Sequence, residues 1–190
     1  MRVAAILLAA GSSRRFGGEK LRVPWRGRPL YEHALDALLS SPGIGTTVVV
    51  VRPGFEPPPA HPRCRVVVNP EHEEGMGSSL RAGVRAAPGD ADAYLVALAD
   101  MPRITPALIA ELIARHGVSG KQITVPVHDG RRGHPVLLGR ELREALLAIR
   151  GDVGAREILR AYPERVGEFE TADEAVLFDV DVPGALGSGA

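Results

Sequence analysis

The chemistry-bearing residues of this chain fall in a few short clusters. The densest is Gly11-Ser12-Ser13-Arg14-Arg15-Phe16-Gly17-Gly18-Glu19-Lys20. Glycines let the backbone turn tightly and bring its N–H groups close to a ligand, and flanking cations suit a triphosphate. Lys20 is one of only two lysines, the other being Lys121. The segment is not a P-loop, because Leu21 follows Lys20 where Ser or Thr is needed, and it has no G-x-G-x-x-G. A solvated basic loop is the alternative.

Two carboxylate sites lie far down the chain. Asp100 follows the apolar run Tyr94–Ala99 and precedes Met101-Pro102, so a rigid strand end would aim it at a ligand crevice. Carboxylate oxygen suits Mg²⁺, which takes one or two carboxylates plus phosphates and waters. Asp179 and Asp181 alternate within Asp179-Val180-Asp181-Val182-Pro183, which on a strand places them on one face. Turn or cap aspartates are the structural alternatives.

Three further clusters carry polar groups beside glycines. Asn69-Pro70 precedes Gly75-Met76-Gly77-Ser78-Ser79-Leu80, where Ser78 or Ser79 can cap a helix. Arg131-Arg132-Gly133-His134-Pro135 makes a cationic, hydrogen-bonding lip. Gly151-Asp152-Val153-Gly154-Ala155-Arg156 puts Arg156 at a helix start, free to reach a phosphate or to pair with Asp152. The remaining histidines (His33, His61, His72, His116 and His128) show no metal-ligand spacing, and no Ser/His/Asp or Cys/His arrangement is evident.

Around these clusters, short apolar runs alternate with helical patterns. Strands are expected at Val3–Leu8, Thr46–Val51, Arg65–Asn69, Ala93–Ala99, Ile123–Val127, Pro135–Leu138 and Val176–Val182. The pair Ile123–Val127 and Pro135–Leu138 would join through Asp129-Gly130. Helices are expected at Pro29–Leu39, Ser78–Ala87, Thr105–His116, Arg140–Ile149 and Gly154–Tyr162, with Thr105 as N-cap and Pro106 at the first position. This alternation predicts a three-layer, Rossmann-like α/β fold around a mainly parallel sheet. The opening loop, Asn69, Asp100 and Asp181 would then converge at strand C-terminal ends.

With 190 residues the chain reads as a single domain over 1–184 with a short tail at 185–190. Twenty-three basic residues balance 23 acidic ones, which argues against bulk nucleic-acid or membrane-surface binding by charge. The lone Cys64 excludes an internal disulfide and reads as inert. With no signal-peptide anatomy and no membrane-length apolar run, a reduced cytoplasm is expected. Abundant arginine and proline fit either a GC-rich genome or a thermophile.

The opening loop resembles the L-A-A-G-x-S-x-R-x-G-x-x-K signature of the MobA-like nucleotidyltransferases. Leu8, Ala9, Ala10, Gly11, Ser13, Arg15, Gly17 and Lys20 all match. Ala99-Asp100-Met101-Pro102, Asn69-Pro70, Gly75-Met76, Ser79-Leu80, Gly133-His134-Pro135-Val136, the Gly151–Arg156 element and Asp179–Pro183 extend the resemblance along nearly the whole chain. It is strongest to the molybdenum-cofactor cytidylyltransferases. Val182 replaces the usual Thr, and Gly184-Ala185 replaces the usual acidic pair.

The resemblance implies a nucleotide-diphospho-sugar transferase type of fold and transfer of CMP from CTP to the phosphate of molybdopterin. It implies Mg²⁺ on Asp100 and Asp181. Arg15 and Lys20 would lie on the phosphates, with nucleotide contacts from Leu8, Ala9, Ala10, Gly11, Ser12, Ser13, Asn69, Gly75 and Ser79. Arg132, His134 and Arg156 would bind the acceptor, and a molybdenum hydroxylase or its chaperone would be the downstream partner. Ala10, where the guanylyl branch usually has Gly, would narrow the base pocket toward a pyrimidine. A UTP- or CTP-using sugar-phosphate enzyme, a guanylyltransferase and a non-catalytic binding module are the rival readings.

Overall fold

The computed structural model describes residues 1–11, 19–56 and 58–181. The first strand, β1 (Val3–Ala9), is almost wholly buried. Val3, Ala5, Leu7 and Ala9 enter one core and Ala4 and Ile6 the other, because successive side chains point to opposite faces. A strand buried on both faces has no reason to alternate in polarity, hence its continuous apolar run.

A 3₁₀ turn at Lys20–Arg22 leads to a small hairpin, β2 (Pro24–Trp25) and β3 (Arg28–Pro29). Its tip, Arg26-Gly27, has φ of 48° and 78°, as a type I′ turn requires. The chain continues through α1 (Leu30–Ser40), β4 (Ile44–Val51), β5 (Cys64–Val68), α2 (Met76–Ala86), β6 (Ala93–Leu98) and α3 (Pro106–Ser119). Then come β7 (Ile123–His128), β8 (Arg131–Arg132), β9 (Val136–Gly139), α4 (Arg143–Ala148), α5 (Ala155–Ala161) and β10 (Val166–Glu170).

These strands form an eight-stranded sheet ordered β10-β7-β9-β6-β1-β4-β5, with β8 paired to β7. Only β9 and β8 run antiparallel to their neighbours. α1 and α3 pack on one face through Leu30, Leu38, Ile109 and Leu112; α2, α4 and α5 pack on the other through Leu80, Leu146 and Ile158. α2 lies close because Gly83 has no side chain; a Cβ there would meet Ile6 Cγ2 at 2.4 Å. The three-layer α/β expectation holds. No helix among the described residues is long and apolar enough to cross a membrane.

Several local expectations also hold. Thr105 Oγ1 accepts from Leu108 N at 3.2 Å, and Pro106 opens α3. Asp129 and Gly130 have φ of 50° and 71°, a second type I′ turn, although it joins β7 to the short β8 rather than directly to β9.

Over its described residues 176–181 the expected strand Val176–Val182 does not form. Glu174–Leu177 is a 3₁₀ turn opened by the Asp173 carboxylate, and residues 178–181 carry no ladder. The segment is stitched down by isolated bonds instead, from His134 N to Val176 O (2.8 Å) and from Val180 N to Asp100 O (3.0 Å). Its valines are apolar because Val176 and Val180 plug the core, which mimics a strand pattern. The true late strand is β10, which pairs with β7 at the sheet edge. It escapes a periodicity reading because only Phe169 of its five residues is buried.

Candidate active site

β1, β4, β5 and β6 run parallel, so Gly11, Arg52, Asn69 and Asp100, which follow them, share one edge of the sheet. β9 enters from that edge, which brings Gly133 and His134 there as well.

At this edge the Lys20 ammonium donates to Asp100 Oδ2 at 2.8 Å and to Asp181 Oδ1 at 2.9 Å. The Lys20 side chain is 8% exposed, Asp100 25% and Asp181 53%, so the cation lies at the bottom and the carboxylates open outward. Burial opposes the lysine's charge, but the two carboxylates outweigh it and hold its pKa above the ordinary lysine value. Each member is fixed by backbone. Arg22 N to Glu19 O and Val23 N to Lys20 O close the Lys20 turn, Ala99 N to Leu8 O prolongs the β1–β6 ladder to Asp100, and Val180 N to Asp100 O carries Asp181 alongside.

Asp181 therefore reaches Asp100 without standing at a strand end. The strand argument for Asp179 and Asp181 on one face also lapses. Asp179 is nonetheless close: burial first, then the Asp181 and Asp100 charges, raise its carboxyl pKa, with Lys20 opposing. Among the described residues no group of three or more His, Cys, Asp or Glu side chains forms a ready metal cage. Two convergent carboxylates with open outer faces do suit a hard cation that completes its shell with phosphate and water.

The sequence reading missed the support of the Lys20 turn. Arg52 donates to Glu19, Arg22 donates to Glu56, and Arg22 lies over the Phe55 ring. A signal existed, since Arg52 directly follows a β-branched strand at the ligand edge.

The Asn69 block is engaged internally. Asn69 is 3% exposed; its Nδ2 donates to Ser78 Oγ (2.8 Å) and Ser79 Oγ (3.0 Å), and its Oδ1 accepts from Glu71 N. Ser78 donates to the Glu71 and Gly75 carbonyls, so neither serine caps α2. The cap comes from afar: Asp152 Oδ1 accepts from Met76 N at 3.2 Å, and Gly77 N donates to Gly151 O at 3.1 Å. Gly75 makes this seat possible, with φ of 105° and room for a Cβ only 2.5 Å from Asp152 Cα. The pairing of Arg156 with Asp152 does not occur, and Asn69 and Ser79 shape the site's wall with their polar groups turned on each other.

Arg132, His134 and Arg156 do come together. With Arg160, Gly133 and the apolar Val125, Val136 and Leu159 they line a cavity of about 200 Å³. Arg132 is held by Glu168, whereas Arg156 and Arg160 make no ion pair among the described residues. His134 Nδ1 is buried with no hydrogen-bond partner. Burial and then the Arg156 guanidinium push the His134 pKa down to about 4, against the Val96 carbonyl and Asp100. Its ring is therefore neutral at pH 7, and it senses both Arg156 and Asp100.

Of the opening signature, Leu8 and Ala9 end β1 and Ala10 is 2% exposed, packed with the core on the α2 side. Its methyl does not face an open base pocket in the described structure. A Cβ on Gly11 would meet nothing within 4 Å among the described residues. Ser12, Ser13, Arg15 and Gly17 lie outside the described residues, as does the 185–190 tail. Cys64 is partly buried and burial raises its thiol pKa, in keeping with an inert residue.

Comparison with known proteins fits this geometry. The chain is 34% identical over 94% of its length to nicotine blue oxidoreductase of Paenarthrobacter nicotinovorans, covering 92% of that protein. It is 33% identical to a probable molybdenum cofactor guanylyltransferase of Bacillus subtilis (85% and 83% covered), and 22% identical to the molybdenum cofactor cytidylyltransferase of Escherichia coli (94% and 90%). The crystal structure of Rv0371c from Mycobacterium tuberculosis superposes with a TM-score of 0.83 at 22% identity over 99% and 97% of the two chains; a manganese complex of that protein is also known. The family model of the MobA-like NTP transferase domain matches residues 5–166, and the chain belongs to that family.

Proposed function

We propose that residues 1–184 act as one Mg²⁺-dependent cytidylyltransferase that moves CMP from CTP to the terminal phosphate of molybdopterin, releasing pyrophosphate. The observation that carries the reading is Lys20 seated between Asp100 and Asp181, three residues from distant segments converging beside an arginine-lined cavity. In the transfer, an oxygen of the acceptor phosphate forms a bond to the α-phosphorus. The bond from that phosphorus to the bridging oxygen breaks, and pyrophosphate leaves with the electron pair.

The acceptor phosphate is already an oxyanion, so no general base is required. The obstacle is repulsion between anions, which positioned cations remove. Asp100 and Asp181 would hold the metal, which supplies charge neutralisation at the α-phosphate. Lys20 and Arg15 would hold the β- and γ-phosphates. The backbone of Leu8, Ala9, Ala10 and Gly11, with Ser12 and Ser13, would cradle the leaving pyrophosphate and ribose. Gly75 would lie along the nucleotide, with Asn69 and Ser79 behind it. Arg156 and Arg132 would fix the acceptor phosphate. Neutral His134 can offer a ring nitrogen without adding charge. A molybdenum hydroxylase or its chaperone would take the product.

CTP rests on the Leu8-Ala9-Ala10-Gly11 signature. Because the Ala10 methyl is buried, any selection by it acts through the backbone path into the loop rather than by direct contact with a base. The test is pyrophosphate release with CTP, GTP, UTP and ATP, each with Mg²⁺ and molybdopterin or a sugar phosphate. Turnover with CTP and molybdopterin is expected; preference for GTP would replace the nucleotide assignment. The oxidoreductase relative adds one arm: reduction of nicotine blue by a supplied reductant, where turnover without any nucleotidyl transfer would overturn the reading.

A further inference from the structure

We propose that Lys20 reserves the Asp100–Asp181 carboxylate pair for a metal–nucleoside triphosphate complex and keeps free divalent metal out. This rests on the nucleotidyltransferase reading and names the form in which its substrate binds.

The ammonium sits 2.8 Å and 2.9 Å from the two oxygens that a metal would use. A free divalent ion must displace it. The displaced ammonium, on a side chain only 8% exposed, then gives up its bonds to Asp100 and Asp181 and faces a dication a few ångströms away. An unpaired buried charge is strongly unfavourable, more so beside a like charge. A metal-bound triphosphate differs because it keeps net negative charge. It brings the cation to the carboxylates and, in the same event, phosphate oxygens to the ammonium. Lys20 exchanges partners instead of losing them.

The carboxylates do not depend on Lys20 for their placement. Asp100 is held by the end of β6 and the Ala99–Leu8 bond, and Asp181 by the Val180–Asp100 backbone bond. A neutral residue at position 20 would therefore leave two facing carboxylates, a better site for a bare metal than the natural one.

The probe is Mn²⁺, followed by the electron paramagnetic resonance signal of the free ion, with no nucleotide present. Lys20→Met and Lys20→Gln are expected to bind one Mn²⁺ at least about ten-fold more tightly than the wild type, since a neighbouring like charge has been removed. Adding Asp100→Asn to either should abolish the gain. Equal or weaker Mn²⁺ affinity in both neutral variants would overturn the proposal. Should neither variant fold, thermal unfolding of the wild type decides: Mn²⁺ alone should leave Tm unchanged while Mn²⁺ with CTP raises it above CTP alone. Stabilisation by Mn²⁺ alone would count against Lys20. Water-proton relaxation with Mn²⁺–CTP separates the two levels of argument. If that complex binds the wild type in an Asp100-dependent way but the lysine variants gain nothing, only the reservation fails; if it does not bind, the metal reading fails beneath it.

Discussion

The Lys20 cluster and the His134 cavity lie on the same sheet edge but handle charge in opposite ways. Around Lys20 each charge has an internal partner within 2.9 Å. In the cavity Arg156 and Arg160 have none among the described residues, and the nearby histidine is kept neutral. A self-neutralised cluster can accept a ligand only by exchanging partners, which suits a ligand carrying both signs. A cavity of uncompensated guanidiniums suits a plain anion, and Arg fits phosphate geometry better than Lys does.

The sharpest break between the two regions is Asp100→Asn. It should lower kcat by about 10³-fold in pyrophosphate release, the scale of losing a preorganised electrostatic group, while acceptor KM stays within a few-fold. A loss expressed mainly in acceptor KM would show that the regions are one.

Next is the cost of keeping His134 neutral. Its pKa is about 4 in the fold and about 6.5 in the unfolded chain, so the unfolded state binds more protons between those values. Stability should be full above about pH 6.5 and fall as pH drops toward 4, by about 3 kcal/mol at most. Urea unfolding at several pH values measures this, and His134→Gln should flatten the slope. An unchanged slope would mean that the ring is solvated.

Arg156→Ala and Arg160→Ala should each raise acceptor KM by about 10- to 30-fold with kcat little changed, the worth of a charge-assisted contact. Arg132→Ala should do less, because Glu168 already neutralises that guanidinium. Steady-state kinetics with varied acceptor would show it; equal effects from all three would erase the distinction between paired and unpaired arginines.

The smallest expected effect lies at the start of α2. Asp152→Ala removes the cap of α2 and should lower stability by about 1 kcal/mol, read as a drop in Tm.

The sequence was legible where a strand or turn has a local cause. Buried strands read as apolar runs, Thr105-Pro106 announced α3, and Asp129-Gly130 announced its turn. The placement of Asp100 at the sheet edge was legible because it follows such a strand. What escaped depends on contacts across the fold. β10 needs one buried residue and a partner's backbone. The 174–181 segment is held by three neighbours rather than by its own periodicity. Lys20 and Asp181 met through a stretch read as a strand, and the bonds from Asn69 to Ser78 and Ser79 join residues nine and ten positions apart. Arg160 carried no local mark that set it apart from other surface arginines.

The seat of residues 151–154 on the start of α2 also bears on how this chain can change in length. Glycines at 75, 77 and 154 each leave a gap that a methyl group would close to 2.8 Å or less, and the facing segment fills it. An insertion or deletion in 149–155 would misalign three contacts at once. Exchanging α5 alone between relatives should therefore fail. The 75–77 turn has to travel with it, two pieces of sequence some seventy residues apart that inherit as one part.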